Sequence, residues 1–137
     1  QRLPLLFPVH PRTLGRIKAL NLSLPPTLVL LPPLPYRPFL ALWSEAALVL
    51  TDSGGLQEET TALGVPCMTI RENTERPVTV EMGSNRLVGT RAADVLVAAH
   101  ECLDALDRGV PPRRGERPPL WDGAAARRIV EVLAREI

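Results

Sequence analysis

The sequence predicts an α/β protein built on parallel strands, with helices on both faces of the sheet. Short uninterrupted apolar runs, such as LVLL at 28–31 and ALVL at 47–50, suit strands buried on both faces. Helical patterns separate these runs. Strands alternating with helices imply βαβ units, a parallel sheet and right-handed crossovers. Glycines punctuate the ends of several helical patterns, where a residue after the last turn is free to leave the helix.

The elements follow in order. The apolar segment beginning at Leu3 carries a strand over Leu5–Val9, and a helical pattern follows over Thr13–Leu20. The run ending at Leu31 gives a strand over Thr27–Leu31. LPPLPYRPF at 31–39 then joins it to a helix over Arg37–Glu45. Ala47–Thr51 is the third strand and Leu56–Leu63 the third helix, stopped by Gly64. A strand over Pro66–Ile70 leads to a short helix over Pro77–Met82. Pro77 suits a first helical position, and Gly83 follows as a stop. Arg86–Val88 is the last strand. A helix over Ala92–Asp107 ends at Gly109, and a final helix covers Ala124–Glu136. The Pro- and Arg-rich stretch Val110–Pro119 reads as an irregular surface loop. Trp121-Asp122-Gly123 reads as a turn and N-cap with a packing tryptophan.

Composition bounds the function. The 137 residues suffice for one domain, 1–137, with its own core, and a hydrophobic content of 45% excludes a disordered tail. A net charge of +1 gives no electrostatic basis for binding nucleic acid or a membrane surface. No apolar stretch approaches the roughly 18 residues of a membrane span, and no signal-peptide pattern is present. Cys67 lies in an apolar run and Cys102 in a helical pattern. Both read as buried thiols in a reducing, cytoplasmic setting, not as a disulfide or metal pair. The chain opens on Gln1 and runs directly into apolar sequence, which reads as a piece of a longer protein.

TDSGGLQEETTALGVP at 51–66 is the most informative segment. It reads as strand end, glycine turn, helix and stop. A glycine pair there lets a ligand approach the backbone without a Cβ in the way. It also presents the first, unpaired N–H groups of the helix, which with the helix dipole favour an anion, most often phosphate. Ser53 adds a hydroxyl. Glu58 and Glu59 stand about one turn in, where a carboxylate accepts hydrogen bonds from ribose hydroxyls. The plainer alternative is a buried strand followed by a helix with Ser53 as N-cap. Asp52 would repel a phosphate and reads instead as a local cap. The next strand ends in RENTERP at 71–77. Ligands of open parallel sheets bind beyond the carboxyl ends of the strands, so two neighbouring strand ends offer a phosphate-type turn and an arginine cluster.

DSGGLQEE, LGVPCMTIRENTERP and GSNRLVGT together resemble the C-terminal domain of non-hydrolysing UDP-N-acetylglucosamine 2-epimerases, collinearly from about Val9 to about Leu133. The resemblance implies a Rossmann-like domain, the C-terminal half of a two-domain GT-B-type fold. It implies UDP-N-acetylglucosamine and UDP as ligands, no cofactor or metal, an absent N-terminal domain as partner and a homodimeric full-length enzyme. Ser53, Gly54 and Gly55 match the diphosphate turn, Glu59 the ribose carboxylate, and Phe39 the position whose backbone meets the uracil. Arg76 matches the arginine of TERP, a cation for the sugar–diphosphate or a partner of Glu59 or Glu75. Arg71 matches less specifically. Gln57 and Glu58 hold the turn in shape. His10, in PVHP, falls where some members bind a second, activating UDP-sugar, or else is a strand-end histidine satisfied by backbone. His100 reads as structural.

The chain departs from the family pattern in places. Val78-Thr79 stands where Glu-Ala usually follows TERP, Arg12-Thr13 replaces Asn-Pro after PVH, and a glutamine common near Leu34 is absent. In the family the acid–base carboxylates and a catalytic histidine precede PVHP, so no catalytic residue is expected in this chain. The competing readings are the nucleotide-binding half of a glycosyltransferase of the same fold and a non-catalytic nucleotide-sugar sensor.

Overall fold

The computed structural model describes residues 3–110 and 115–136. The elements are β1 (Leu5–Pro8), α1 (Pro11–Ala19), β2 (Leu28–Leu31), α2 (Tyr36–Ser44), β3 (Val49–Thr51), α3 (Gly54–Leu63), β4 (Cys67–Thr69), α4 (Pro77–Glu81), β5 (Asn85–Leu87), α5 (Ala92–Asp107) and α6 (Ala125–Glu136). The strands and helices expected from the sequence all form, with modest shifts at their ends. Three helices begin earlier than expected, α2 by a single residue, and capping explains the other two. His10 accepts the Arg12 N–H at Nδ1, 3.2 Å, so Pro11 becomes the first residue of α1. Ser53 Oγ accepts the Leu56 N–H at 3.4 Å, so α3 takes in both glycines.

All strand pairing is parallel, but it forms two ladders where one sheet was expected: β1–β2, and β3–β4–β5 with β4 central. The contacts of the chain divide the same way, into units Gln1–Trp43 and Ser44–Ile137. Strands of three or four residues carry few ladder bonds apiece, so a local change of spacing is enough to end a sheet.

In the first unit, β1 and β2 run in register from Leu5↔Leu28 to Pro8↔Leu31, joined through α1. The Val9 N–H continues the ladder to Leu31 O at 2.9 Å. Leu5, Leu6, Phe7 and Val29 are exposed. Burial on both faces therefore fails for these strands, because a two-stranded ladder has little to cover it.

The second unit holds the better core. In β4, side chains alternate across the sheet. Met68 points to one face, with Val88 and Ala98, and Leu48, Ile70, Val95, Ala99 and Cys102 close around them, so α5 covers that side. Burying a side chain of this size contributes about 1.5–3 kcal/mol. Cys67 and Thr69 point to the other face, toward α3 and α4 (below). Helices thus cover both faces of this ladder. Both cysteines are free thiols. Burial pushes the Cys67 thiol up, partly offset by hydrogen bonding with Thr60 and Thr69, and burial also raises Cys102.

Gly64 ends α3 in the left-handed conformation at φ 69°. Gly83 is a different case from the expected helix stop. Its φ is not positive, and its constraint is space, since a Cβ there would lie 2.5 Å from Thr61 Cγ2 and from the Thr79 carbonyl oxygen. Of the expected loop, 111–114 lie outside the described residues. The remainder is irregular, and the Glu116 N–H bonds back to Met82 O at 2.7 Å. Before α6, Asp122 Oδ1 accepts the Ala124 N–H at 2.9 Å, as expected of a cap. Arg128 reaches back to both Asp122 oxygens and to Leu120 O, which holds the Asp122 carboxyl well below the usual range. No described helix is long and apolar enough to cross a membrane.

Candidate functional site

The carboxyl ends of β3 and β4 carry the two segments singled out by sequence. Thr51 ends β3, and its Oγ1 accepts the Ser53 N–H at 3.0 Å. Ser53 is extended, φ −79° and ψ 127°, and caps α3. Asp52 is exposed and caps nothing among the described residues; the hydroxyls of Thr51 and Ser53 do that work. The Leu56 N–H goes to Ser53 Oγ and the Gln57 N–H to Ser53 O at 3.4 Å. The N–H groups of Gly54 and Gly55 are left as the orphan donors of the helix. Neither glycine needs a positive φ. A Cβ on Gly54 would meet nothing within 4 Å, and one on Gly55 only Ser53 Oγ at 4.0 Å.

Behind this turn lies a buried polar network. Gln57, in the first turns of α3, is fully buried, as are Thr69 of β4 and Thr79 of α4, and Asn85 of β5 is 3% exposed. Gln57 Oε1 accepts from Thr74 Oγ1 at 2.6 Å and from Asn85 Nδ2 at 3.2 Å. Asn85 Nδ2 also donates to Thr79 Oγ1 at 3.0 Å, and Asn85 Oδ1 accepts from Thr69 Oγ1 at 2.7 Å. Gln57 Nε2 is buried with no partner among the described residues, a cost of about 1–3 kcal/mol. The amide is therefore held by its oxygen.

Arg76 sits where this network meets α3. Its Nε lies 3.0 Å from Glu58 Oε1, both side chains about two-fifths exposed at 41% and 42%. The Nε–H does not aim at that oxygen, so the contact is an ion pair and Nε carries no hydrogen bond. Nη1 donates to the Glu75 backbone oxygen at 3.3 Å. The expected partners of Arg76 were the Glu59 or Glu75 carboxylates; Glu58 takes that place. One residue along a helix is a rotation of about 100°, so Glu59 is carried away from the Arg76 side. Glu59 is half-buried, and its carboxylate has no partner among the described residues. Gln57 and Glu58 were expected to hold the turn in shape; their side chains instead meet Thr74 and Asn85, by hydrogen bonds, and Arg76, by charge.

Sequence reasoning grouped Ser53, Gly54, Gly55, Glu59 and Arg76; all five belong to the second unit, where Arg76 meets α3 at Glu58 and Glu59 is turned from that contact. It missed Thr69, Thr74, Thr79 and Asn85. The available signal was a polar residue inside a short strand pattern, Thr69 in CMTI and Asn85 in SNRL. It also missed Glu72, whose Oε1 accepts from the Thr90 N–H at 3.1 Å and from Thr90 Oγ1 at 2.9 Å, tying together the loops that follow β4 and β5. Phe39 and His10 belong to the first unit. Phe39 is half-buried in α2, and its N–H is engaged with Pro35 O at 3.0 Å. His10 is exposed and spends Nδ1 on the cap of α1. His100 is exposed on α5 instead of packed within it. Among the described residues no group of three His, Cys, Asp or Glu side chains could hold a metal ion.

A family-wide sequence profile described as UDP-N-acetylglucosamine 2-epimerase matches residues 1–134. The chain belongs to this family. The Methanocaldococcus jannaschii UDP-N-acetylglucosamine 2-epimerase is 40% identical over 133 residues, covering 94% of this chain and 34% of the relative. The Escherichia coli enzyme of the same name is 35% identical over 142 residues, covering 97% of this chain and 35% of the relative. This member of the epimerase family therefore spans about a third of the length of the curated relatives it matches. Its α/β fold is that of solved UDP-N-acetylglucosamine 2-epimerases, which are of the GT-B type. The M. jannaschii enzyme in complex with UDP-GlcNAc and UDP aligns with a TM-score of 0.74 at 38% identity, covering 96% of this chain and 36% of that one. A Staphylococcus aureus relative solved with UDP aligns with a TM-score of 0.81 at 31% identity, covering 98% and 36%.

Proposed function

We propose that residues 1–137 form the UDP-binding, C-terminal domain of a UDP-N-acetylglucosamine 2-epimerase. The full enzyme would interconvert UDP-GlcNAc and UDP-ManNAc. UDP leaves C1 as a proton leaves C2, and UDP then returns as C2 is reprotonated on the opposite face. The observation that carries this reading is the glycine pair at the start of α3. Inside the chain neither backbone conformation nor crowding requires glycine at 54 or 55. Close approach of an outside group to the orphan N–H donors does require it, and a diphosphate fits their number and polarity.

The residue roles follow from that placement. The Gly54 and Gly55 N–H groups and Ser53 Oγ hold the diphosphate. Glu59, one turn on and with a carboxylate that has no partner among the described residues, accepts from the ribose hydroxyls. Arg76 supplies the cation for the sugar–diphosphate, exchanging part of its Glu58 contact for phosphate. Phe39 meets the uracil through its backbone carbonyl, because its N–H is spent on Pro35. His10 keeps Nε2 for a second UDP-sugar. The acid–base groups belong to an N-terminal domain that completes the site, and the full enzyme works as a cytoplasmic homodimer.

The test compares the full natural polypeptide with this chain alone. The full polypeptide should bind UDP and form the manno epimer, and the chain alone should bind UDP weakly and form none. UDP binding without epimerisation by the full polypeptide would make it a nucleotide-sugar sensor. Epimer formed by residues 1–137 alone would place the catalytic groups within them.

A further inference from the structure

The backbone of Arg76 is enclosed in a ring of hydrogen bonds. Its N–H donates to Thr74 Oγ1 at 2.9 Å, and Thr74 Oγ1 donates to Gln57 Oε1 at 2.6 Å. Gln57 Oε1 also accepts from Asn85 Nδ2 at 3.2 Å, and the second hydrogen of that amide goes to Thr79 Oγ1 at 3.0 Å. Thr79 Oγ1 closes the ring by donating to Arg76 O at 2.7 Å. Each hydroxyl accepts once and donates once, and the Asn85 amide spends both hydrogens. The proton directions therefore admit no reversal without breaking a bond. Asn85 is anchored by Thr69 through its oxygen, and Gln57 is anchored by the helix that carries Gly54 and Gly55.

We infer that Gln57, Thr74, Thr79 and Asn85 are positioning residues that fix Arg76 relative to the Gly54–Gly55 turn, so that the guanidinium and the helix N–H groups meet the same diphosphate. The ring makes no contact with the Arg76 guanidinium, which meets only Glu58 and the Glu75 carbonyl among the described residues. What it fixes is the Cα from which that side chain reaches. A cation on a long stem costs rotamer entropy when it binds. Holding its main chain at both N–H and C=O leaves that side-chain cost in place but removes the backbone share of the ordering before the ligand arrives. None of the four residues needs to touch the nucleotide.

This inference rests on the reading that Arg76 contacts the diphosphate, and the experiment separates the two. UDP dissociation constants are measured by calorimetry on the full natural polypeptide, with folding followed by circular dichroism. Thr74→Val should raise the constant about tenfold, while Thr74→Ser, which restores the hydroxyl, should stay within about twofold of wild type. Thr79→Val should repeat the loss from the other side of the ring, and it carries the test should Thr74→Val fail to fold. Thr60→Val removes a buried hydroxyl that lies outside the ring, bonded at 2.7 Å to Leu56 O, and should leave UDP affinity unchanged. In an Arg76→Ala background, Thr74→Val should add nothing. A loss of the same size in that background would show that Thr74 does not act through Arg76 and would overturn the inference. So would an unchanged constant for the two valine variants beside a weakened Arg76→Ala. An unchanged constant for Arg76→Ala itself would remove the underlying reading, and this inference with it.

Discussion

Two glycines of the second unit should respond to substitution in opposite ways, and the contrast isolates the ligand. At Gly54 an added Cβ meets nothing within 4 Å, and the residue is already helical. Gly54→Ala should stabilise the fold by about 0.4–1 kcal/mol by narrowing the unfolded ensemble. Gly54→Val should be near neutral, because valine recovers less helix propensity. At Gly83 the Cβ would lie 2.5 Å from the Thr79 carbonyl oxygen as well as from Thr61, and backbone cannot move aside cheaply. Gly83→Ala should destabilise by about 1–3 kcal/mol. Binding should invert this order. Valine at 54 stands over the Gly54 and Gly55 N–H groups and removes charge-assisted hydrogen bonds worth about 1.5–3 kcal/mol. That is about one to two decades in UDP dissociation constant. Gly83→Ala, away from the turn, should keep its affinity wherever it remains folded. Thermal melts and UDP calorimetry on the same samples read both axes. A Gly54→Val protein that keeps both its melting temperature and its UDP affinity would refute the placement of phosphate over this turn.

Other outcomes follow from the same geometry. Glu59→Ala should weaken UDP by about one to two decades with an unchanged melting temperature; a wild-type protein binding the 2′-deoxy nucleotide as tightly as UDP would contradict the ribose role. Gln57→Met should cost about 1–3 kcal/mol of stability, because two donors lose their buried acceptor; a denaturant titration checks it. Glu58→Ala should change stability by less than about 1 kcal/mol, since the ion pair is two-fifths exposed. The Asp122 carboxyl is depressed by Arg128 and by the Ala124 N–H. Its contribution is therefore complete above the ordinary carboxylate value of about 3.9 and is lost as pH falls below it. Asp122→Asn should flatten the acid loss of helical signal between about pH 4 and pH 2; an unchanged acid profile would place the sensitivity elsewhere.

The order of elements was legible in the sequence because period and punctuation report it directly. Apolar runs of three to five residues between helical patterns left little choice but parallel βαβ units, and the extent of α5 follows from its pattern alone. The turn at Ser53 was equally legible, since a capping hydroxyl, two glycines and a helix are consecutive in the chain. The tertiary structure decided whatever depends on residues far apart. Glu58, not Glu59, meets Arg76, because that choice rests on the rotation of α3 about its axis against a loop 18 residues later. Thr69 and Asn85 look like interruptions of apolar strands. Only the stacking of β4 and β5 beneath α3 and α4 turns them into partners whose bonds repay their burial. The glycines at 54 and 83 are the same letter in the sequence, and packing alone tells the open one from the crowded one. The division of the strands into two ladders was not legible either, because an apolar run marks a strand and neither how far it is covered nor which neighbour it pairs with.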